Sequence, residues 1–336
     1  MGIAPFIFTG RHILNGCRIS NKMICWRAVK ILVSIVFCAA LAIDGVSAEE
    51  GQNPSSRPFC WSLKAPGEVS ESFLLGSIHV ARPGIYPLAV TIEDAFSAAD
   101  VVVVEADPEG MTSPKRVGTM LGRAMNVTGN RLKDVLSADA YDRLVSYAKE
   151  AKLKIETLDK FDPWYVAQMI TMLEMQKLGF KAENGIEMHF LRKARGDKAI
   201  VELEGVEYQV DFLDSFTAEE QSLMLEYTLL DLENIEGLVD EMMGAWKAGN
   251  PVKLKELLHG YLEEVDGLAD AYKRLFTDRN RTMAEKIEEF VGSGKSYFVI
   301  VGAGHVVGED GLIELLRAKN IAVTQLPQSE PSAARK

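Results

Sequence analysis

The chain has 336 residues, 47% of them hydrophobic, enough for one large domain or two small ones with an ample core. Its 37 Lys and Arg against 48 Asp and Glu give a net charge of −11. That hydrophobic content disfavours a largely disordered chain, and no basic stripe interrupts the acidity, so a nucleic-acid partner is disfavoured too.

In chain order, the first feature is Ile31 to Ile43, ILVSIVFCAALAI, an uncharged run of 13 residues preceded by Arg27 and Lys30. Val46-Ser47-Ala48 follows as a small-residue cleavage site. The pattern predicts a signal peptide over residues 1–48, cleaved near Ala48, with Met23 as an alternative start. A membrane span needs about 20 apolar residues, and Asp44 interrupts this run, so no stable anchor is expected after cleavage. Cys38 follows the bulky Phe37, which disfavours lipidation. The expected location is the periplasm of a Gram-negative bacterium. Removing residues 1–48 takes away Arg11, Arg18, Lys22, Arg27, Lys30 and Asp44, leaving 32 basic against 47 acidic residues, a net −15. Cys17, Cys25 and Cys38 leave with that segment, so Cys60 remains alone and no internal disulfide forms. Flanked by Phe59 and Trp61, Cys60 reads as a small buried hydrophobe.

Residues 49–58 form a polar leader expected to be disordered. FCWSLK (59–64) and SFLLGSI (72–78) then bracket Ala65-Pro66-Gly67-Glu68 and read as a β-hairpin. VVVVEAD (101–107) suits a strand buried on both faces. From about Met111 to Glu183 the spacing turns helical, with Leu136, Ala140, Leu144, Val145 and Ala148 on one face and Val166, Ile170, Leu173 and Leu178 on another. GIEMHFLRKARG (185–196) reads as a helix feeding a short strand, KAIVELEG (198–205). More helices follow from Thr217 through Phe276, Thr217 and Glu220 having capping-box spacing. A helix from Asp278 to Val291, the strand SYFVIVG (296–302), a helix from Glu309 to Lys319 and the strand IAVTQL (321–326) complete the pattern, ahead of a tail at 328–336 expected to be disordered. The predicted class is α/β: a mixed, partly parallel sheet formed by the N- and C-terminal parts of the mature chain, with a long, mainly helical insertion at about 111–290, all within one domain at 59–327.

Two strands end in Gly-x-x-His, at Gly76 to His79 and Gly302 to His305. Ligands of such sheets sit at the carboxyl ends of strands, where His79, Glu105 and His305 all fall. Gly76, Gly302 and Gly304 would let the backbone turn with positive φ or approach another segment closely. Two imidazoles and a carboxylate suit a catalytic divalent ion such as Zn²⁺, Mn²⁺, Co²⁺ or Fe²⁺. Asp107, two residues beyond Glu105, would share its face if the strand continued. His189 and His259 lie in amphipathic stretches and read as structural.

LLGSIHV, VVVVEAD, GIEMHFLRKA with VELEGVEYQ, RNRTMAEKI (279–287) and YFVIVGAGHVVGEDGL together resemble the TraB/GumN family, which is related to the Tiki metalloproteases and more distantly to erythromycin-esterase-like and ChaN-like proteins. The resemblance implies a metal-dependent hydrolase, most plausibly peptidase-like, using Mn, Co or Zn on a peptide or protein substrate in the cell envelope. It carries metal ligation onto His79, Glu105 and His305, and catalytic roles onto Glu105, Arg279 and Asn280. Glu187 and Glu204 lie in family-like segments, although Leu203-Glu204-Gly205 departs from the familiar Leu-Glu-Thr. The alternative implied is a non-catalytic peptide-sequestering protein, or an accessory of envelope polysaccharide biosynthesis and export.

Overall fold

The computed structural model describes residues 57–108, 114–127, 129–259 and 267–328. The expected signal peptide, leader residues 49–56 and tail residues 329–336 lie outside the described residues. Pro58, assigned above to the leader, already belongs to the fold: it is buried, and its carbonyl accepts from the Gln325 side chain at 3.0 Å.

Strands β1 (Cys60–Lys64) and β2 (Ser72–Ser77) pair antiparallel, with Cys60 opposite Leu75 and Leu63 opposite Ser72. The turn between them follows from Pro66-Gly67. Proline presets φ at the first central position, Gly67 takes a φ of 82° at the second, and the Glu68 N–H closes on the Ala65 carbonyl at 3.2 Å. Helix α1 (Val90–Ala98) leads into β3 (Val101–Val104), whose four valines are all buried. β4 (Ala199–Glu202), β5 (Tyr297–Gly302) and β6 (Ala322–Gln325) complete a sheet of order β4-β3-β5-β2-β1-β6. β4, β3, β5 and β2 run parallel, while β1 is antiparallel to both β2 and β6. The sheet is therefore mixed, in an α/β fold.

The chain ends do not build that sheet alone. β4 comes from the middle of the helical region and pairs with β3, Val104 standing opposite Glu202. Its residues are only half-buried or exposed, as suits an edge strand with one neighbour. The helical region is α2 (Pro114–Ala124), α3 (Ala138–Glu150), α4 (Pro163–Lys177), α5 (Ile186–Ala194), α6 (Val206–Asp214), α7 (Ala218–Asp231), α8 (Ile235–Lys247), α9 (Pro251–Leu258) and α10 (Arg279–Val291). After β5 comes α11 (Leu312–Ala318).

Both faces of the sheet are covered. Phe298 of β5 meets Phe96 of α1 at 5.7 Å and Phe190 of α5 at 4.9 Å between ring centroids. Its neighbour Tyr297 points to the other face, as strand alternation requires, and stacks on Phe290 of α10 at 5.1 Å. Away from the sheet, α3, α4 and α7 share a second core of Leu144, Ala148, Val166, Ile170, Leu225 and Leu229. Val145 is not part of it. It is 38% exposed, because one residue past Leu144 lies about 100° around the helix. Thr217 and Glu220 form the expected capping box at the start of α7. Among the described residues no helix is long and apolar enough to cross a membrane.

Candidate active site

Because β2, β3, β4 and β5 are parallel, the residues that follow each strand emerge at one edge of the sheet. His79, Glu105, Glu204 and His305 all leave there.

Glu105, one residue past β3, is 4% exposed. Its Oε1 accepts the Gly302 N–H at 2.6 Å, and its Oε2 accepts from Arg279 Nη2 and Gln209 Nε2, each at 3.1 Å. Burial raises its pKa above the usual carboxylate range; the Arg279 charge opposes this and the neighbouring Glu204 adds to it. Arg279 sits just past a π-helical stretch, Lys273–Asp278, that runs directly into α10. Its guanidinium forks onto Glu204, with Nε to Oε1 and Nη2 to Oε2 both at 2.7 Å, and Nη1 donates to the Leu275 carbonyl at 3.1 Å. Gln209 also donates to Glu204 at 3.1 Å, tying the two carboxylates together.

The two motif histidines are each held through Nδ1. His305 lies on a single helical turn, Ala303–Val306, directly after β5 and is 1% exposed. The Asn280 amide donates to the Asp310 carbonyl at 2.8 Å, so its oxygen faces His305 Nδ1 at 2.6 Å. The Nδ1 therefore carries the hydrogen and donates. His305 Nε2 stands 3.9 Å from Glu105 Oε2. Burial, reinforced by the Arg279 charge, pushes the His305 pKa well down and keeps the ring neutral. His79 Nδ1 contacts Glu187 Oε1, an oxygen that also accepts the Ser77 hydroxyl at 2.9 Å. Burial alone would lower the His79 pKa, but Glu187 and, farther off, Glu105 outweigh it and hold the ring above its ordinary value. Glu187 is buried too, yet His79 lowers its pKa below the usual range.

The structure thus gathers Glu105, Glu204, Arg279, Asn280 and His305 into one contact cluster, and sets the His79–Glu187 pair near enough for Glu105 and Arg279 to act on His79 through their charge. Asp107 is a correction. β3 stops at Val104, so the alternation that would place Asp107 beside Glu105 does not extend to it, and its carboxylate accepts from Arg195 at 2.8 and 3.1 Å. The turn glycines are corrected in part. Gly76, Gly302 and Gly304 all have negative φ. Gly76 instead serves close approach, since a Cβ there would lie 2.5 Å from the Phe59 ring, and Gly302 serves through its N–H to Glu105. At Gly205, where the sequence departs from the familiar threonine, φ is 90°, a left-handed value that favours glycine.

His189 pairs with Glu93 at 3.0 Å, away from the network. His259 is buried against Tyr272 and Phe276, and Cys60 is fully buried, with burial pushing its thiol pKa far up. Two positioning residues escape sequence reasoning. Gln209 bridges Glu105 and Glu204, one helical turn into α6. Gly185 lets the start of α5 abut the His79 backbone, where a Cβ would lie 2.3 Å from the His79 carbonyl oxygen. The glycine that opens the GIEMHF segment was the available signal for the second.

Two imidazoles oriented through Nδ1 beside a buried carboxylate are the donor types of a divalent-metal site, so the residues fit such an ion in kind. Among the described residues, however, no three His, Cys, Asp or Glu side chains are spaced to enclose an ion. Arg279 stands against Glu105 and neutralises it in this arrangement.

Fold and network together define an α/β protein with a buried His–Glu–Arg–Asn site at the carboxyl edge of its parallel strands. The TraB/PrgY/gumN family model matches residues 59–325, and the chain belongs to that family. The uncharacterized protein YbaP of Shigella flexneri is 27% identical over 256 residues, covering 76% of this chain and 90% of that protein. YbaP of Escherichia coli K12 is 27% identical over 245 residues, covering 73% and 87%. Metalloprotease TIKI2 of Danio rerio is 22% identical over 322 residues, covering 81% of this chain and 62% of that protein. No solved structure gives a significant match.

Proposed function

We propose that the chain is a metal-dependent hydrolase of the peptidase kind, exported to the bacterial cell envelope. The observation that carries this reading is that His305 stands 3.9 Å from the buried Glu105–Arg279 pair while His79, from the opposite end of the chain, lies within the reach of their charge, each imidazole being held through Nδ1 by a buried partner. The likeness to proteins named metalloproteases supports it. The envelope assignment rests on the leader pattern at residues 27–48.

His79, Glu105 and His305 are the side chains that would hold the ion, which requires them to draw closer together than they stand here; once bound it would polarise a carbonyl and make water a stronger acid. The remaining work falls to side chains already in place. Glu105, buried and 3.9 Å from His305 Nε2, is the carboxylate that would either ligate the ion or accept the proton. Arg279 is a buried cation fixed by Glu204 and able to meet developing negative charge. Asn280 sets the tautomer of His305, and Glu187 sets the orientation of His79.

The alternative is a protein that captures peptide without turnover. It is favoured by one observation: Arg279 already satisfies Glu105 and Glu204 in a closed ion cluster, as a structural scaffold would keep it.

Metal-free mature protein with Mn²⁺, Co²⁺ or Zn²⁺ added back decides between them. The expected result is cleavage of a peptide library, abolished by His79→Ala or His305→Ala in variants that keep the wild-type circular dichroism. A wild-type protein that binds peptide but turns nothing over with any of the three ions would establish the sequestering alternative.

A further inference from the structure

A small cavity of about 60 Å³ opens directly beside His79. His79 and Ser77 form one wall with Ala303 and Gly304, and Met175, Phe180, Val239, Met242, Trp246 and Leu258 form the rest. The cavity is thus bounded by the residue after β2 that carries the first motif histidine and by the residue just ahead of the second.

Its chemistry is apolar. The Trp246 indole N–H is committed to the Gly76 carbonyl at 2.7 Å, and the Ser77 hydroxyl to Glu187 at 2.9 Å. What these two residues offer the cavity is therefore carbon surface. Phe180 and Met175 are 1% and 2% exposed. Ile78, His79 and Met243 are partly buried and are the lining residues that meet solvent. Three of the lining residues, Met175, Met242 and Met243, are methionines, whose unbranched side chains adapt to guests of different shape.

We infer that this cavity is the specificity subsite of the hydrolase and takes one large apolar side chain, such as Leu, Met or Phe, of a peptide whose backbone lies across His79. This inference rests on the proposed hydrolase reading. Away from His79 a charged or strongly polar side chain would meet carbon surface, and alanine would leave much of the cavity unfilled. One methylene in an apolar pocket discriminates by about tenfold or more, so the preference for Leu over Ala should be at least that large.

The test uses fluorescein-labelled peptides of Gly and Ser carrying one variable residue: Leu, Met, Phe, Ala, Asp or Lys. Binding to metal-free mature protein is read by anisotropy, and cleavage with added Mn²⁺, Co²⁺ or Zn²⁺ by mass spectrometry. The wild type should bind the Leu, Met and Phe peptides at least about tenfold more tightly than the Ala, Asp and Lys peptides, and cleave next to the apolar residue. Val239→Phe fills the cavity and should erase that preference. Met243→Ala, at a partly exposed position where the fold is less at risk, should move the preference from Leu toward Phe. Cleavage without apolar preference, or with a preference that neither variant alters, overturns the subsite and leaves the hydrolase reading standing. Apolar-selective binding that the variants alter, without cleavage, upholds the subsite and overturns the hydrolase reading. Absence of binding and cleavage with every peptide overturns the subsite.

Discussion

Arg279 is 6% exposed and donates to Glu204, Glu105 and the Leu275 carbonyl. Removing one partner of such a buried pair leaves uncompensated charge, at a cost of about 3–5 kcal/mol. Arg279→Met should therefore lose that much stability in urea unfolding at pH 7, and adding Glu204→Gln should restore part of it. Arg279→Lys should recover only part, because an ammonium cannot reproduce the fork onto Glu204. A loss under about 1 kcal/mol for Arg279→Met, the size of an exposed pair, would show that the cluster is solvated. At this scale the sequence singled out Glu105, Glu204, Arg279 and Asn280 one by one. Their pairing was hidden, because hydrogen bonds between residues 174 and 75 positions apart leave no local pattern.

Helix α5 shows how an element delivers one group to the site. Its first N–H, from Ile186, donates to the Ile78 carbonyl at 3.0 Å, and Glu187 follows to meet His79. A Cβ on Gly185 would lie 2.3 Å from the His79 carbonyl oxygen and 2.9 Å from that of Ala182. Both are backbone atoms, so no rotamer change relieves the clash. Gly185→Ala should cost about 1–3 kcal/mol and part His79 from Glu187, bringing the His79 pKa back toward its ordinary value in an NMR titration. Gly118→Ala in α2 is the control: nothing lies within 4 Å of that Cβ. The gain expected there is about 0.5–1 kcal/mol from helix propensity, and both shifts are measurable as thermal midpoints. The elements themselves were legible. The hairpin, the valine strand, the capping box and the last strand follow from turn chemistry and two periodicities. Of the two roles expected for the strand-end glycines, positive φ or close approach, Gly76 and Gly304 show the second, leaving room for the rings of Phe59 and Phe276.

For the whole molecule, the buried histidines set the acid limb of stability. His259 is 2% exposed, and burial, with Lys255 adding, lowers its pKa to about 4 from an ordinary 6.5. Below pH 6.5 the unfolded chain takes up a proton that the folded chain refuses. Stability is then lost as pH falls from about 6.5 toward 4, at up to about 1.4 kcal/mol per pH unit. His305 acts with the same sign, whereas His79, whose pKa is raised, contributes stability that is fully present below pH 6.5 and is lost as pH rises above it. Urea unfolding across this window should show a shallower slope for His259→Phe than for wild type; equal slopes would mean that His259 is protonated in the folded chain. What the sequence by itself determined is what neighbours within a few residues enforce: acidity, strands, helices, caps, and the placement of the two motif histidines, His79 and His305, just past strand ends. Only the tertiary structure decided which strands lie side by side. The pairing of β3 with both β4 and β5 brings Glu105, Glu204 and His305 to one edge, with β4 recruited from within the helical region. Burial at that edge then raises the pKa of Glu105 and keeps His305 neutral. These are properties of distance and dielectric, which arise only once the chain has closed on itself.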